Sequence, residues 1–279
     1  MLEYSKINAG GATLALLEFP LKKRDACAEL AMKLCDRDRD IDAVAFYSRS
    51  AVSDVGVAVF ARNGQPFRLC GSAVCAIGKY IFEARKLPEQ YATVDTDSGI
   101  KEIRCRVRGG SVYSVDAEMG RAALCSNDLP SECENSAVRF YPIKAAGRIY
   151  DITALSIGSP YAVIFVEENL DRLDLASIGG EIEHDSRFPE GTSVLISRRI
   201  GKDRLAVRIW LRGVGEVKSS GSAACAAAVA SVLCGLCDFD TRIIVELRTG
   251  EVEVICDRDF FVILGIYMTG PIEKCTMEK

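Results

Sequence analysis

The sequence predicts an α/β chain of two pseudo-symmetric halves, and three observations carry that reading. The first is an internal repeat: residues 70–77 read Cys-Gly-Ser-Ala-Val-Cys-Ala-Ile and residues 220–227 read Ser-Gly-Ser-Ala-Ala-Cys-Ala-Ala, identical at five of eight positions at an offset of 150. The second is that the register continues upstream without a gap, laying Val57-Ala58-Val59-Phe60-Ala61-Arg62 over Val207-Arg208-Ile209-Trp210-Leu211-Arg212. The third is the supply of β-branched runs elsewhere, such as Ala162-Val163-Ile164-Phe165-Val166 and Val252-Glu253-Val254-Ile255, which mark strand-rich domains.

Each copy reads as strand, turn, helix. The upstream hexapeptides have strand composition and are followed by glycine-containing turns, through Gly64 in one copy and Gly213 and Gly215 in the other. The segment from Ala76 to Lys86 has helical spacing and ends in basic residues that suit a helix C-terminus. Ala223–Leu233 is almost wholly small and apolar, which predicts a helix buried on most sides. Asp116-Ala117-Glu118-Met119-Gly120 and Ser126-Asn127-Asp128-Leu129-Pro130 have the composition of a crossover between domains.

Composition narrows the chemistry. With 279 residues, 49% of them apolar, the chain can bury two cores, and a net charge of −4 offers no footprint for nucleic acid. No apolar run has the length of a membrane helix and Met1–Lys6 lacks the pattern of a signal peptide, so a cytoplasmic location is expected. The single histidine, His184, excludes His-rich metal sites and reads as a surface residue in the acidic segment Glu181–Asp185. The 12 cysteines lie mostly among apolar neighbours and read as reduced, buried thiols. Cys234-Gly235-Leu236-Cys237 has no second CxxC or paired histidines to complete a zinc site.

Positions 70 and 220 fall at the same place in the two copies, just before a helix N-terminus. A thiol there should have its thiolate stabilised by the helix dipole and by free backbone N–H groups. The same N–H groups offer donors to a carboxylate, with Gly71 and Gly221 allowing close approach. If the halves face each other, residues 70 and 220 flank one cleft. That outlines a proton-transfer site: one residue removes a proton from carbon, the other returns one to the opposite face, and the N–H groups stabilise the charge between them. Cys75 and Cys225, one helical turn on, read as small core residues.

The chain resembles the diaminopimelate epimerase family of cofactor-independent amino-acid racemases and epimerases. The resemblance rests on Ser5-Lys6, Cys70-Gly71-Ser72, Gly158-Ser159-Pro160, Phe188-Pro189-Glu190, Arg212-Gly213-Val214-Gly215-Glu216, Gly221-Ser222 and Thr269-Gly270-Pro271, in this order and spacing. It implies two domains, each a strand-rich sheet wrapped around a central helix: residues 1–118 with a returning strand at 269–279, and residues 119–268. It further implies Cys70 and Ser220 as the catalytic pair, with Gly71, Ser72, Gly221, Ser222, Ala12, Ser159, Ser193 and Arg212 around the substrate. No metal or cofactor is expected. The expected partner is a small-molecule amino acid, without nucleic acid or membrane, and a homodimer is left open.

The departures bear on substrate and mechanism. The family's second cysteine falls on Ser220, its substrate-gripping asparagines fall on Ala12, Ala61, Ser159 and Ser193, Tyr161 takes its histidine position, and Leu211 replaces its glutamate. A smaller or less polar amino acid than diaminopimelate is therefore expected, although Arg62, Arg68 and Arg212 remain to meet an acidic side chain. Ser220 leaves three readings: an engineered inactivating change, a natural one-thiol enzyme similar to the hydroxyproline dehydratases, or an amino-acid-binding homologue that has lost its chemistry.

Overall fold

The computed structural model describes residues 3–85, 90–124, 129, 138–259, 262–273 and 276–278. The chain forms two compact units, Met1–Glu118 with Met268–Lys279, and Met119–Tyr267.

In the first unit, strands Tyr4–Ala9 and Ala12–Glu18 form a hairpin turned by Gly10 and Gly11, both at positive φ. Helix α1 (Arg24–Arg37) crosses over to Ala43–Ser48, parallel to Ala12–Glu18, and Val55–Ala61 runs back antiparallel. The short strand Pro66–Phe67 adds to that strand, helix α2 (Gly71–Arg85) follows, and Tyr91–Thr96 returns parallel to Val55–Ala61. Strands Gly99–Arg108 and Ser111–Gly120 complete the order. Val55–Ala61 is buried at every position. Helix α1 covers one face through Cys27, Ala31, Leu34 and Cys35 against Phe46, Ala58 and Phe60, while α2 packs against Tyr4–Ala9, Ala12–Glu18 and Gly99–Arg108. In α2, Gly78 permits that approach, since a Cβ there would sit 2.6 Å from Ile103 Cδ1.

The second unit follows the same path. Arg148–Ser156 pairs antiparallel with Pro160–Phe165, helix α3 (Leu175–Glu183) crosses over to the parallel strand Ser193–Gly201, and Arg204–Leu211 runs back. The short strand Gly215–Val217, helix α4 (Gly221–Leu233), the parallel strand Ile243–Leu247 and the antiparallel strand Gly250–Asp259 follow. Every residue of α4 from Gly221 to Val232 is buried, among strands Arg148–Ser156, Pro160–Phe165, Arg204–Leu211 and Gly250–Asp259. Its run of alanines is what lets strands close around it. The repeat read in the sequence is thus a repeat of topology, an α/β fold with a strand-rich curled sheet in each unit.

Three features differ from or extend the sequence reading. Each unit carries a second helix, α1 or α3, that the repeat did not single out. The boundary between the units falls within residues 116–120, as expected, but the crossing is made by the end of a strand, with Ala117 and Met119 buried, so the polar neighbours mark strand alternation. Residues 126–128 and 130 of the second expected crossover stretch, and Lys86 at the expected helix end, lie outside the described residues. From Met268 the chain rejoins the first unit: Gly10 N–H donates to Pro271 O at 2.9 Å, Ile272 N–H to Tyr113 O at 3.0 Å, and Thr276–Glu278 pairs with Tyr4–Lys6. Among the described residues, no helix is long and apolar enough to cross a membrane.

Candidate active site

Positions 70 and 220 are equivalent helix caps. Ser220 has extended backbone (φ −162°, ψ 122°), its Oγ accepts from Ala223 N–H at 3.4 Å, and its carbonyl accepts from Ala224 N–H at 3.0 Å. In the first unit the Cys70 carbonyl accepts from Val74 N–H at 3.0 Å, and the Cys70 sulfur faces the N–H groups of Ala73 and Ser72. Both side chains are half-buried. The sequence places a cap here because a short polar side chain is followed by glycine and then by helix formers.

The electrostatics of Cys70 correct one expectation. Burial pushes its thiol up to about 11, outweighing the Ala73 and Ser72 N–H groups that pull it down, and the Asp42 carboxylate pushes it further up. A helix N-terminus favours the thiolate, but here desolvation wins. Asp42 is a residue that the sequence reading missed. It is tied to the strand after Ala12, accepting from Thr13 N–H and donating its own N–H to Thr13 O, both at 2.8 Å. Nothing in its local sequence announces this, because the thiol is 28 positions away in the chain.

The two helix starts differ in what surrounds their serines. Ser222 Oγ lies 2.8 Å from Tyr161 Oη and 3.3 Å from Ser220 Oγ. Ser72, its equivalent, is 2% exposed and its hydroxyl has no hydrogen-bond partner among the described residues. Leu14 occupies the register position of Tyr161: Leu14 pairs with Ala43, Tyr161 pairs with Ser193, and 43 and 193 are 150 apart. The remaining expected residues of the second unit gather beside this chain. Ser193, buried and opposite Tyr161, accepts from Arg212 N–H at 3.1 Å, and Ser159 sits in the turn two residues before Tyr161, after Gly158 at positive φ. Ala12 and Ala61 are buried in strands of the first unit.

The arginines are partly committed. Arg62 donates to the carbonyls of Arg39 and Cys35, and Arg212 Nη1 donates to Glu190 O at 2.7 Å. Arg212, Phe188, Pro189 and Glu190 line an open cleft of about 410 Å³ that also includes exposed His184. The turn that presents Arg212 is held by Glu183, a second residue missed in the sequence. Glu183 is 7% exposed and accepts from Trp210 Nε1–H at 2.6 Å and Gly213 N–H at 2.7 Å. Its place in an acidic run disguised it as a surface charge. Among the described residues all cysteines are free, and Cys75 and Cys225 lie in the cores. Cys234 Sγ meets Thr153 Oγ1 at 3.2 Å.

Comparison with known proteins places these features in context. The sequence profile described as diaminopimelate epimerase matches residues 153–275. Over 277 residues the chain is 33% identical to the diaminopimelate epimerase of Desulfovibrio desulfuricans, covering 96% of this chain and 94% of that one. The diaminopimelate epimerase of Pelotomaculum thermopropionicum is 32% identical, with 88% and 86% covered. Among solved structures, a probable proline racemase from Agrobacterium radiobacter K84 superposes with a TM-score of 0.74 at 14% identity, covering 100% of this chain and 92% of that one. A hydroxyproline epimerase from Agrobacterium vitis, solved with trans-4-hydroxy-L-proline, superposes at 0.69 and 13% identity, with 99% and 93% covered.

Proposed function

Because the chain belongs to the diaminopimelate epimerase family, and is thereby an isomerase, we propose that it inverts the configuration at Cα of a small amino acid without a cofactor. Cys70 exchanges a proton on one face of the substrate and residue 220 on the other. The N–H groups at Gly71, Ser72, Gly221 and Ser222 receive the carboxylate, and Ala12, Ser159, Ser193 and Arg212 shape the remainder of the site.

The observation that supports this reading most is the repeated cap: one topology, used twice, ends a strand and a turn on a half-buried thiol in one unit and a hydroxyl in the other. Moving a Cα proton needs a group that exchanges protons and a sink for the charge that develops, and each helix start sets a thiol or hydroxyl beside backbone N–H donors. With its pKa raised by burial, Cys70 rests as the thiol at neutral pH, which suits proton delivery. For abstraction it needs positive charge nearby, and the ammonium of an amino acid brings that charge with it. The small residues at Ala12, Ser159 and Ser193 favour a compact or cyclic substrate over one with a second amino-acid head group.

Incubation of the protein in heavy water with a panel of amino acids, proline and hydroxyprolines included, tests the reading through Cα deuteration and chiral analysis. Exchange with inversion is expected for one member, and Cys70→Ser should abolish it. Ser220→Cys should accelerate inversion by about a hundredfold or more, the order of a positioned acid–base group. No exchange in the wild type or in Ser220→Cys would refute an isomerase. The hydroxyl at 220 also favours a second reading, dehydration of a 3-hydroxy amino acid, which the same panel reports as loss of water in the product mass.

A further inference from the structure

We propose that a chain of three hydroxyls, Tyr161–Ser222–Ser220, carries the proton that a second thiol would supply. The inference rests on the isomerase reading above and adds the path of the proton. Tyr161 Oη and Ser222 Oγ are 2.8 Å apart, and Ser222 Oγ and Ser220 Oγ are 3.3 Å apart. Tyr161 is 3% and Ser222 5% exposed, so water does not compete along the chain. Ser220 Oγ already accepts from Ala223 N–H. If Tyr161 donates to Ser222 and Ser222 to Ser220, the Ser220 proton remains to be given away.

Acidity explains why a serine needs such a chain. A thiol titrates near 8.5 and a phenol near 10 in water, whereas an aliphatic hydroxyl is a far weaker acid. Ser220 alone would have to become an alkoxide. With the relay, the carbanion takes the Ser220 proton as Ser220 takes that of Ser222 and Ser222 that of Tyr161. One C–H bond forms, the phenol O–H breaks, and the charge ends on the phenolate. In reverse, the phenolate is the ultimate base for the Cα proton. No electron changes hands.

The first unit supplies an internal comparison. Its helix starts with the same Gly-Ser-Ala, yet the Ser72 hydroxyl has no partner among the described residues and Leu14 stands where Tyr161 does. A serine at this place does not require a tyrosine for the helix to form. The phenol is present in the unit that carries serine and absent in the unit that carries the thiol.

The test is a four-protein comparison on the same amino-acid panel: wild type, Tyr161→Phe, Ser220→Cys, and the double variant. Tyr161→Phe should lower inversion by about a hundredfold or more, with KM little changed, while wash-out of the Cα proton that faces Cys70 continues. In the Ser220→Cys background the same change should cost little, because the thiol brings its own proton. Equal loss in both backgrounds would mean a packing role and overturn the relay. Undiminished inversion in Tyr161→Phe would overturn it while leaving the isomerase reading intact. Absence of exchange in wild type and Ser220→Cys would remove both. Should Tyr161→Phe fail to fold, Ser222→Ala interrupts the chain at its middle and is held to the same criteria.

Discussion

Removing the Glu183 carboxylate should loosen the turn that presents Arg212, and the cost can be worked from the two bonds it makes. Its acceptors meet Trp210 Nε1–H at 2.6 Å and Gly213 N–H at 2.7 Å. Gly213 is exposed, so water replaces the lost partner there at little cost, but the half-buried Trp210 indole loses its acceptor against α3. An unmet donor of that kind costs about 1–3 kcal/mol, and loss of the second charged bond adds about 1 kcal/mol. Glu183→Ala should therefore destabilise the second unit by about 3 kcal/mol, and Glu183→Gln, which keeps one acceptor, by about half of that. For a chain of this size 3 kcal/mol lowers the melting temperature by roughly 6–12 °C. Trp210 is the only tryptophan, so its emission during denaturant unfolding reads this unit directly. An unfolding midpoint and an emission maximum both equal to wild type in Glu183→Ala would refute the clamp.

Gly179→Ala should also destabilise, because its Cβ would stand 2.5 Å from Trp210 Cγ and 2.7 Å from Cδ2; the overpacking, about 1–3 kcal/mol, exceeds a helix-propensity gain of up to about 1 kcal/mol, and a raised melting temperature would contradict this. Burial lifts the thiols of Cys35 and Cys105 to about 11 and of Cys256 to about 12, so the folded chain retains protons that the unfolded chain releases. Their contribution to stability is thus intact below about pH 8.5 and shrinks as pH rises towards 11, by up to about 1.4 kcal/mol per pH unit for each; denaturant midpoints that hold level from pH 7 to 10.5 would argue against it. Alkylation of Cys70 by iodoacetamide should accelerate about tenfold per pH unit until near 11 and slow when an amino acid binds; a rate already maximal at neutral pH would show a low-pKa thiol instead.

The repeat was legible because it is written in identities at a constant offset, and the structure turns that offset into two copies of one strand–helix path. The crossover helices were less visible. Cys27, Ala31, Leu34 and Cys35 carry the helical spacing of α1, and Leu175, Ile178, Gly179 and Ile182 that of α3, but neither stretch lies in the repeated octets. The two carboxylates that matter most, Asp42 and Glu183, owe their roles to partners about 30 residues away, which no local pattern encodes. Tyr161 stands out in the sequence only through the resemblance, as the residue at the family's histidine position; its use depends on Ser222, 61 positions on. The direction of the Cys70 shift departs from the helix-end expectation for a related reason. Helix-end chemistry follows from four adjacent residues, whereas desolvation is a sum over everything folded around them.

The return of residues 268–278 to the first unit sets an order on biosynthesis. Strand Tyr4–Ala9 has Ala12–Glu18 on one side at once, but its other neighbour, Thr276–Glu278, leaves the ribosome only after all of the second unit. The bonds from Gly10 to Pro271 and from Glu273 to Asn8 wait equally long. The unit that carries Cys70 is therefore translated first and sealed last. In between, it presents an unpaired β-edge to the cell, the kind of surface on which nascent chains aggregate or chaperones act.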